Sequence, residues 1–175
     1  MTHYDYYDLI TALIRNHSNE LDSKPIHYLE IGTQEGGSAV AAHKSGCIGL
    51  AVLVDTWGDK YGGSARGTPQ HVVKALGAEM GNTIILTGDS KTVIPAITHT
   101  FDFIFVDGDH SEAGCWVDMQ NCLPLLATNG VMLVDDVDHP AHAYLGAAVD
   151  RFALENKLSV RYHTLHYGQA ELRRM

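Results

Sequence analysis

An α/β domain built on a mostly parallel sheet is the fold class the sequence predicts, on three observations. Short apolar runs rich in β-branched and aromatic residues, such as FIFV at 103–106 and VMLV at 131–134, recur in the way strands buried on both faces do. Segments of helical periodicity separate these runs, and alternation of β and α argues for a three-layer α/β domain. Several runs end in acids or glycine turns, and open α/β sheets bind ligands at the carboxyl ends of their strands.

In chain order, Tyr6 to Asn16 carries Leu9, Ile10, Leu13 and Ile14 on one helical stripe, which suits a docking or lid helix within residues 1–25. Lys24-Pro25 closes it, and His27 to Ile31 forms a first strand that enters the turn GTQEGG. A helix is expected from Gly37 or Ser38 to about Lys44, then a second strand from Cys47 to Val54 that ends in Asp55. Thr56 to Gly67 is irregular, with four glycines, and loops of that length are usually functional or mobile. Thr68-Pro69 supplies an N-cap and a proline at the first helical position for HVVKALGAEM, which stops at Gly81. Thr83 to Leu86 is the third strand, followed by Gly88-Asp89-Ser90 and a short helix to about Ile97. The fourth and fifth strands flank a helix expected over Glu112 to Ala127, with Asn129-Gly130 as its stop. Pro140 opens a last helix to about Asn156, and Val160 to His166 with Gln169 to Arg173 alternate as an antiparallel hairpin around Tyr167-Gly168.

With 175 residues, 45% of them hydrophobic, the chain is one ordinary domain able to bury a core. A net charge of −9, without a Lys/Arg cluster, disfavours nucleic acid. The acidic start MTHYDYYD has no basic and apolar signal regions, and no apolar run reaches the length of a membrane span. A soluble cytoplasmic protein without a membrane partner is therefore expected. Cys47, Cys115 and Cys122 show no CxxC spacing, which indicates neither a disulfide framework nor a zinc knuckle; Cys115 and Cys122, seven apart, suit core packing.

If the fourth and fifth strands are neighbours, Asp107, Asp109, Asp135 and Asp136 converge on one sheet edge. Ionised carboxylates held that close are costly, so the cluster implies a cation, a basic ligand or raised pKa values. At the other tips, Glu30, Gly32, Gly36, Gly37 and Ser38 make an ExGxxxGGS turn between strand and helix, and Asp55 follows 25 residues after Glu30. Such a turn lets a ligand reach bare backbone at a helix N-terminus, and an acid in that place accepts from ribose hydroxyls. The spacing is not GxGxxG, and Glu30 would repel a diphosphate where it would welcome an amino group.

ExGxxxGGS, the Asp ending the second strand, TGDS after the third, VDGDH after the fourth and VDD after the fifth together resemble the class I S-adenosylmethionine-dependent methyltransferases. More narrowly they resemble the divalent-metal-dependent O-methyltransferase branch, with its catechol-type enzymes and small bacterial enzymes that methylate sugar hydroxyls. The resemblance runs from about His27 to Arg173 and implies a Rossmann-like three-layer sandwich, with a seven-stranded sheet in the order 3-2-1-4-5-7-6. It implies that Glu30, Gly32, Thr33, Gly36 and Ser38 line the methionine end of the donor and that Asp55 holds the ribose. Trp57 would cover the adenine or border the substrate, Asp89 and Ser90 would flank the adenine, and Asp109 would approach the donor's amino group. Asp107, Asp135 and Asp136 match the metal ligands, and His110 falls where relatives carry a lysine or histidine base.

Three carboxylates without a cysteine suit Mg²⁺, with zinc kept open by His110 and His139. The metal would acidify and position a hydroxyl of a small acceptor, a sugar or glycoside ahead of a catechol. Asp107 and His110 would carry the catalysis, with His110 taking the proton. Asp138 and His139, at the entry to the last helix, and His142 beside them are candidates for substrate contact. Three features depart from the catechol-type pattern. The region before the first strand is short, so a loop, helix one or a second subunit in a homodimer must supply the lid. Asp136 replaces an asparagine, which predicts tighter metal binding, and His110 replaces a lysine. The competing expectations are a non-catalytic S-adenosylmethionine-binding domain and a nicotinamide-dependent oxidoreductase.

Overall fold

A computed structural model describes residues 3–58 and 67–175. The order is α1 (His3–Glu20), β1 (Ile26–Ile31), α2 (Gly37–Lys44), β2 (Ile48–Asp55), α3 (Pro69–Leu76), β3 (Thr83–Thr87), α4 (Ser90–Val93), β4 (Phe101–Val106), α5 (Glu112–Cys122), β5 (Leu126–Val134), α6 (Tyr144–Asn156), β6 (Leu158–His163) and β7 (Gln169–Arg174). The seven strands form one sheet in the order β3-β2-β1-β4-β5-β7-β6. β1 to β5 run parallel, and β7 enters antiparallel between β5 and β6.

Strand alternation divides the core between two faces. Phe103 and Phe105 point to the side covered by Tyr6, Ile10 and Ile14 of α1 together with Ala39, Ala42 and Val72. Ile104 and Val106 point to the other, with Cys115, Met119 and Cys122 of α5 and Val149 and Phe152 of α6. Both α5 cysteines are buried and free. No helix among the described residues is long and apolar enough to cross a membrane.

Several boundaries differ from the sequence expectation. α1 continues past Asn16 to Glu20, its end held by the Ser18 hydroxyl donating to the Lys24 carbonyl at 2.8 Å. α5 stops at Cys122 rather than Ala127, because Pro124 opens a tight turn over Leu123–Leu125. Proline has no N–H to continue a helical ladder but fits a first turn. Asn129-Gly130 then lies within β5 as an irregularity: Leu126 pairs with Phe101, and the next pairing is Val131 with Phe103. Pro140–His142 is a separate turn, so α6 begins at Tyr144. β6 ends at His163, three residues short of the expected His166. Residues 59–66 of the irregular loop lie outside the described residues.

The sheet fixes where the tips meet. The Asp107 N–H donates to the Ile31 carbonyl at 2.9 Å, and the Asp135 N–H to the Val106 carbonyl at 3.0 Å. The ends of β1, β4 and β5 are thereby level, at the switch point where α/β sheets open a crevice.

Candidate functional site

Gly32 turns out of β1 with φ 90°, and a Cβ there would lie 1.8 Å from the Asp107 carbonyl oxygen. Only glycine permits that approach of two backbones. Gly36 adopts φ 87° at the start of α2, and a Cβ on Gly37 would lie 2.2 Å from the Tyr7 hydroxyl. The turn is therefore closed from above by α1. Tyr6, Tyr7, Thr33, Gly36, Gly37 and Ser38 line a cleft beneath that helix. The hydroxyls of Tyr6 and Thr33 are buried there, that of Tyr6 toward Asp135 and that of Thr33 toward Glu30.

Glu30 is fully buried beneath the turn instead of lining it. Its carboxylate accepts from the Ser38 hydroxyl at 2.8 Å and the Tyr28 hydroxyl at 2.5 Å. Burial pushes its pKa up to about 7 against the lowering effect of Tyr28, Ser38 and Thr33. Glu30 thus holds the turn from behind, while Gly32, Thr33, Gly36 and Ser38 line the cleft.

Asp55 ends β2 and accepts from two backbone N–H groups, Gln34 at 2.8 Å and Trp57 at 2.6 Å. The Trp57 indole N–H donates to the Gln34 carbonyl at 2.8 Å, so the ring clasps the glycine turn. Gln34 and Trp57 both take left-handed backbone, φ 48° and 44°, a cost that clusters at functional sites. Asp55 thus stands rigid, with lone pairs left on each oxygen for a ligand.

A second cleft joins the first at Gly32, Gln34 and Asp107 and runs along Asp55, Gly88, Asp89, Ser90, Lys91 and Asp109. Asp89 caps α4 by accepting from the Lys91 N–H at 2.9 Å. Asp109 accepts from the Lys91 ammonium at 2.9 Å and the Ser111 N–H at 3.0 Å. Burial alone would raise its pKa, but the Ser111 and Lys91 hydrogen bonds outweigh that and hold it below the usual carboxylate range. Asp118, fully buried on α5, accepts from the Ser90 hydroxyl at 2.6 Å and is pushed up to about 6 by burial.

At the acidic edge, His110 Nε2 lies 3.0 Å from Asp107 Oδ1 and its Nδ1 lies 3.6 Å from Asp136 Oδ2. Ligand atoms of Asp107, His110 and Asp136 all fall within 4.8 Å of one another. Asp135 is turned inward: it is 7% exposed, and the buried Gln169 amide on β7 donates to it at 2.9 Å. Burial and the charge of Asp135 raise Asp107 well above the usual carboxylate range. The bond to Asp107 in turn raises His110 to about 9 despite partial burial. In this arrangement the His110 ring lies between the Asp107 and Asp136 carboxylates.

Aromatic rings rim the edge. The Tyr144 hydroxyl donates to the His110 carbonyl at 2.8 Å and stands 3.2 Å from His142 Nδ1. The His142 ring centroid lies 5.2 Å from His110 and 4.8 Å from His139, and His139 packs against Tyr167 at 4.0 Å. His139 itself caps the turn before α6, accepting from the Ala141 N–H at 3.0 Å. Partial burial, with His110 and His139 nearby, holds His142 below the usual imidazole pKa. Asp138 is exposed on the same rim, its N–H donating to the Tyr167 carbonyl at 2.7 Å.

Tyr6, Lys91, Asp118, Tyr144 and Gln169 escape a reading of the sequence. Asp118 alone left a signal, as an acid on the apolar stripe Cys115, Met119, Cys122 at helical spacing.

A model of the methyltransferase domain matches residues 29–137. No curated protein sequence matches the chain. Among solved structures, the Podospora anserina methyltransferase PaMTH1, bound to S-adenosylhomocysteine, is 21% identical with a TM-score of 0.70, over 100% of this chain and 80% of that one. TomG, an O-methyltransferase from Streptomyces achromogenes involved in tomaymycin synthesis and solved with S-adenosylmethionine, is 19% identical with a TM-score of 0.68, over 100% and 82%. CalS11, a calicheamicin methyltransferase, is 14% identical with a TM-score of 0.75, over 99% and 80%.

Proposed function

The chain belongs to the methyltransferase domain family, and from that premise we propose that it transfers the methyl group of S-adenosylmethionine to a hydroxyl of a small acceptor at the β4 and β5 tips. One observation carries this reading: the glycine-turn cleft and the Asp55 to Asp109 cleft meet at Asp107, the residue that also opens the acidic edge. Donor and acceptor halves therefore share a wall.

The residues present fit the donor. Asp55, steadied by two N–H groups, offers its outer lone pairs to a ribose diol. The Tyr6 and Thr33 hydroxyls, buried in the first cleft with no short hydrogen bond of their own, suit the polar methionine end, since buried polar groups are costly unless well bonded. Asp55, Asp89 and Asp109 around the second cleft favour a cationic sulfonium over a pyrophosphate.

They fit a divalent cation as well, because ligand atoms of Asp107, His110 and Asp136 lie within 4.8 Å of one another and Asp107 is raised by burial and its acidic neighbour. A cation there would supply Lewis-acid acidification and fixed placement of the acceptor hydroxyl.

In the transfer, the acceptor oxygen attacks the methyl carbon in line, the carbon–sulfur bond breaks, and S-adenosylhomocysteine leaves with the bond's electron pair. The hydroxyl proton must go to an unprotonated base. His142, its pKa lowered and its ring on the rim, is that base, while His110 stays paired with Asp107. The ring-lined rim of His139, His142, Tyr144 and Tyr167 suits a flat or stacked acceptor, a sugar, glycoside or catechol.

Incubation with S-adenosylmethionine and a panel of sugars, glycosides and catechols, read by mass spectrometry, tests the reading. One acceptor should gain one methyl group, with loss of transfer on chelation and in Asp107→Asn. Donor binding without transfer to any member of the panel would overturn the catalytic reading.

A further inference from the structure

Asp118 stands on α5 with no exposed surface, behind the wall of the Asp55 to Asp109 cleft and not in it. Ser90, Gly108 and Asp109 line that cleft, and all three meet the Asp118 carboxylate from their other side. The Ser90 hydroxyl donates to Oδ1 at 2.6 Å. A Cβ on Gly108 would lie 2.8 Å from Oδ2, so a glycine lets the turn after β4 pass that close. The Asp109 N–H faces the same Oδ2 at 3.5 Å. One short bond and one long one leave this buried carboxylate under-satisfied, because its two oxygens can accept about four. Such a group is costly, and burial pushes its pKa up to about 6. The apolar packing of Cys115, Met119 and Cys122 on the same helix does not call for it.

The consequence falls on Ser90. At pH 8 the Asp118 carboxylate is ionised and can only accept. A hydroxyl has one hydrogen to give, and Ser90 spends its own on Asp118, so the cleft meets only the Ser90 lone pairs. The neighbouring side chains agree, since Asp89 and Asp109 are carboxylates and the Lys91 ammonium is turned onto Asp109 at 2.9 Å. Adenine joined to ribose has hydrogens to offer only on its 6-amino group, whereas hypoxanthine presents a 6-oxo acceptor in that place. We infer that Asp118 is a positioning residue that sets donor specificity: by taking the Ser90 hydrogen it fixes Ser90 as an acceptor, so that the cleft takes a nucleoside with a 6-amino base and rejects its 6-oxo counterpart. The inference rests on the proposed functional reading for a nucleoside donor in this cleft, and it assigns base selectivity to a residue that does not touch the base.

Calorimetric titration of the full chain at pH 8 with S-adenosylhomocysteine, and with its 6-oxo counterpart S-inosylhomocysteine, reads the ratio of two affinities. The wild-type chain should favour the 6-amino ligand by about tenfold or more, because a 6-oxo group would set lone pairs against lone pairs and leave Ser90 unpaired. In Asp118→Asn the Asp109 N–H holds the amide oxygen on its side and turns the amide N–H₂ toward Ser90. The Ser90 hydrogen is then free for the cleft, and the ratio should fall to within about threefold. Ser90→Ala should lower the ratio in the same way with Asp118 in place. A purely structural Asp118 would weaken both ligands together, so a folded Asp118→Asn chain that keeps the wild-type ratio would overturn the inference, as would a Ser90→Ala chain that keeps it. Equal binding of the two ligands to the wild-type chain would overturn it without any variant and leave the methyltransferase reading standing. Binding of neither ligand would overturn that reading, and this inference with it.

Discussion

Glu30→Gln isolates the electrostatics of the glycine turn. The carboxyl is fully buried, and its pKa moves from 4.5 to about 7 because desolvation outweighs the bonds from Tyr28 and Ser38. Between those values the unfolded chain has released the proton while the folded chain retains it. Stability therefore falls as pH rises through the window and levels off above the folded pKa. At about 1.4 kcal/mol per pKa unit, the loss between pH 5 and pH 8 is about 2–3 kcal/mol from this one group. Glutamine keeps an acceptor for the hydroxyls and cannot ionise. Urea denaturation of both proteins at the two pH values gives a double difference in which other raised acids, such as Asp118, cancel. Glu30→Gln should become the more stable protein at pH 8 relative to pH 5 by about that amount. A double difference near zero, or of opposite sign, would refute the account of Glu30 as a buried support that ionises reluctantly.

Three further outcomes are expected. Gly32→Ala places a Cβ 1.8 Å from the Asp107 carbonyl at φ 90°, so the two tips must part; loss of soluble yield or a large fall in melting temperature is expected, and a wild-type melt would contradict it. Thr33→Val removes a buried hydroxyl that engages Glu30 only weakly, so stability should fall by no more than about 1 kcal/mol while calorimetric affinity for S-adenosylmethionine weakens by several-fold, on the order of 1 kcal/mol; undiminished affinity would remove Thr33 from the donor site. Lys91→Met breaks the 2.9 Å pair with Asp109. Because Lys91 is partly exposed, the change in stability should stay below about 1 kcal/mol, yet donor binding should weaken as Asp109 loses its anchor.

Much of this was legible in the sequence because buried parallel strands advertise themselves. FIFV and VMLV are apolar on both faces, and acids directly after them must lie at the tips. The seven-stranded order followed only from the whole set of motifs. The end of α5 was misplaced because Asn129-Gly130 looks like a helix stop, whereas Pro124 had already started a turn and the pair sits in an irregularity of β5. The division of labour among the acids was not legible. Whether Glu30 faces the ligand or the core depends on Tyr28 and Ser38 closing over it. That Asp135 turns in while Asp136 turns out depends on a positive φ and on Gln169, 34 residues away on β7. Lys91 meets Asp109 across 18 residues, a pairing that periodicity does not reveal. Asp118 is the exception, since an acid on an apolar helical stripe calls for a buried partner.

Calorimetric titration with S-adenosylhomocysteine, on the wild-type chain and Asp55→Ala, addresses the central claim that the glycine turn and Asp55 bind a methyl donor. One molecule per chain should bind the wild type, and Asp55→Ala should weaken it by about tenfold or more, since truncation removes a charged hydrogen-bond acceptor worth about 1.5–3 kcal/mol. A wild-type chain that releases no heat and binds no nucleoside, or an Asp55→Ala chain that binds equally well, would contradict it.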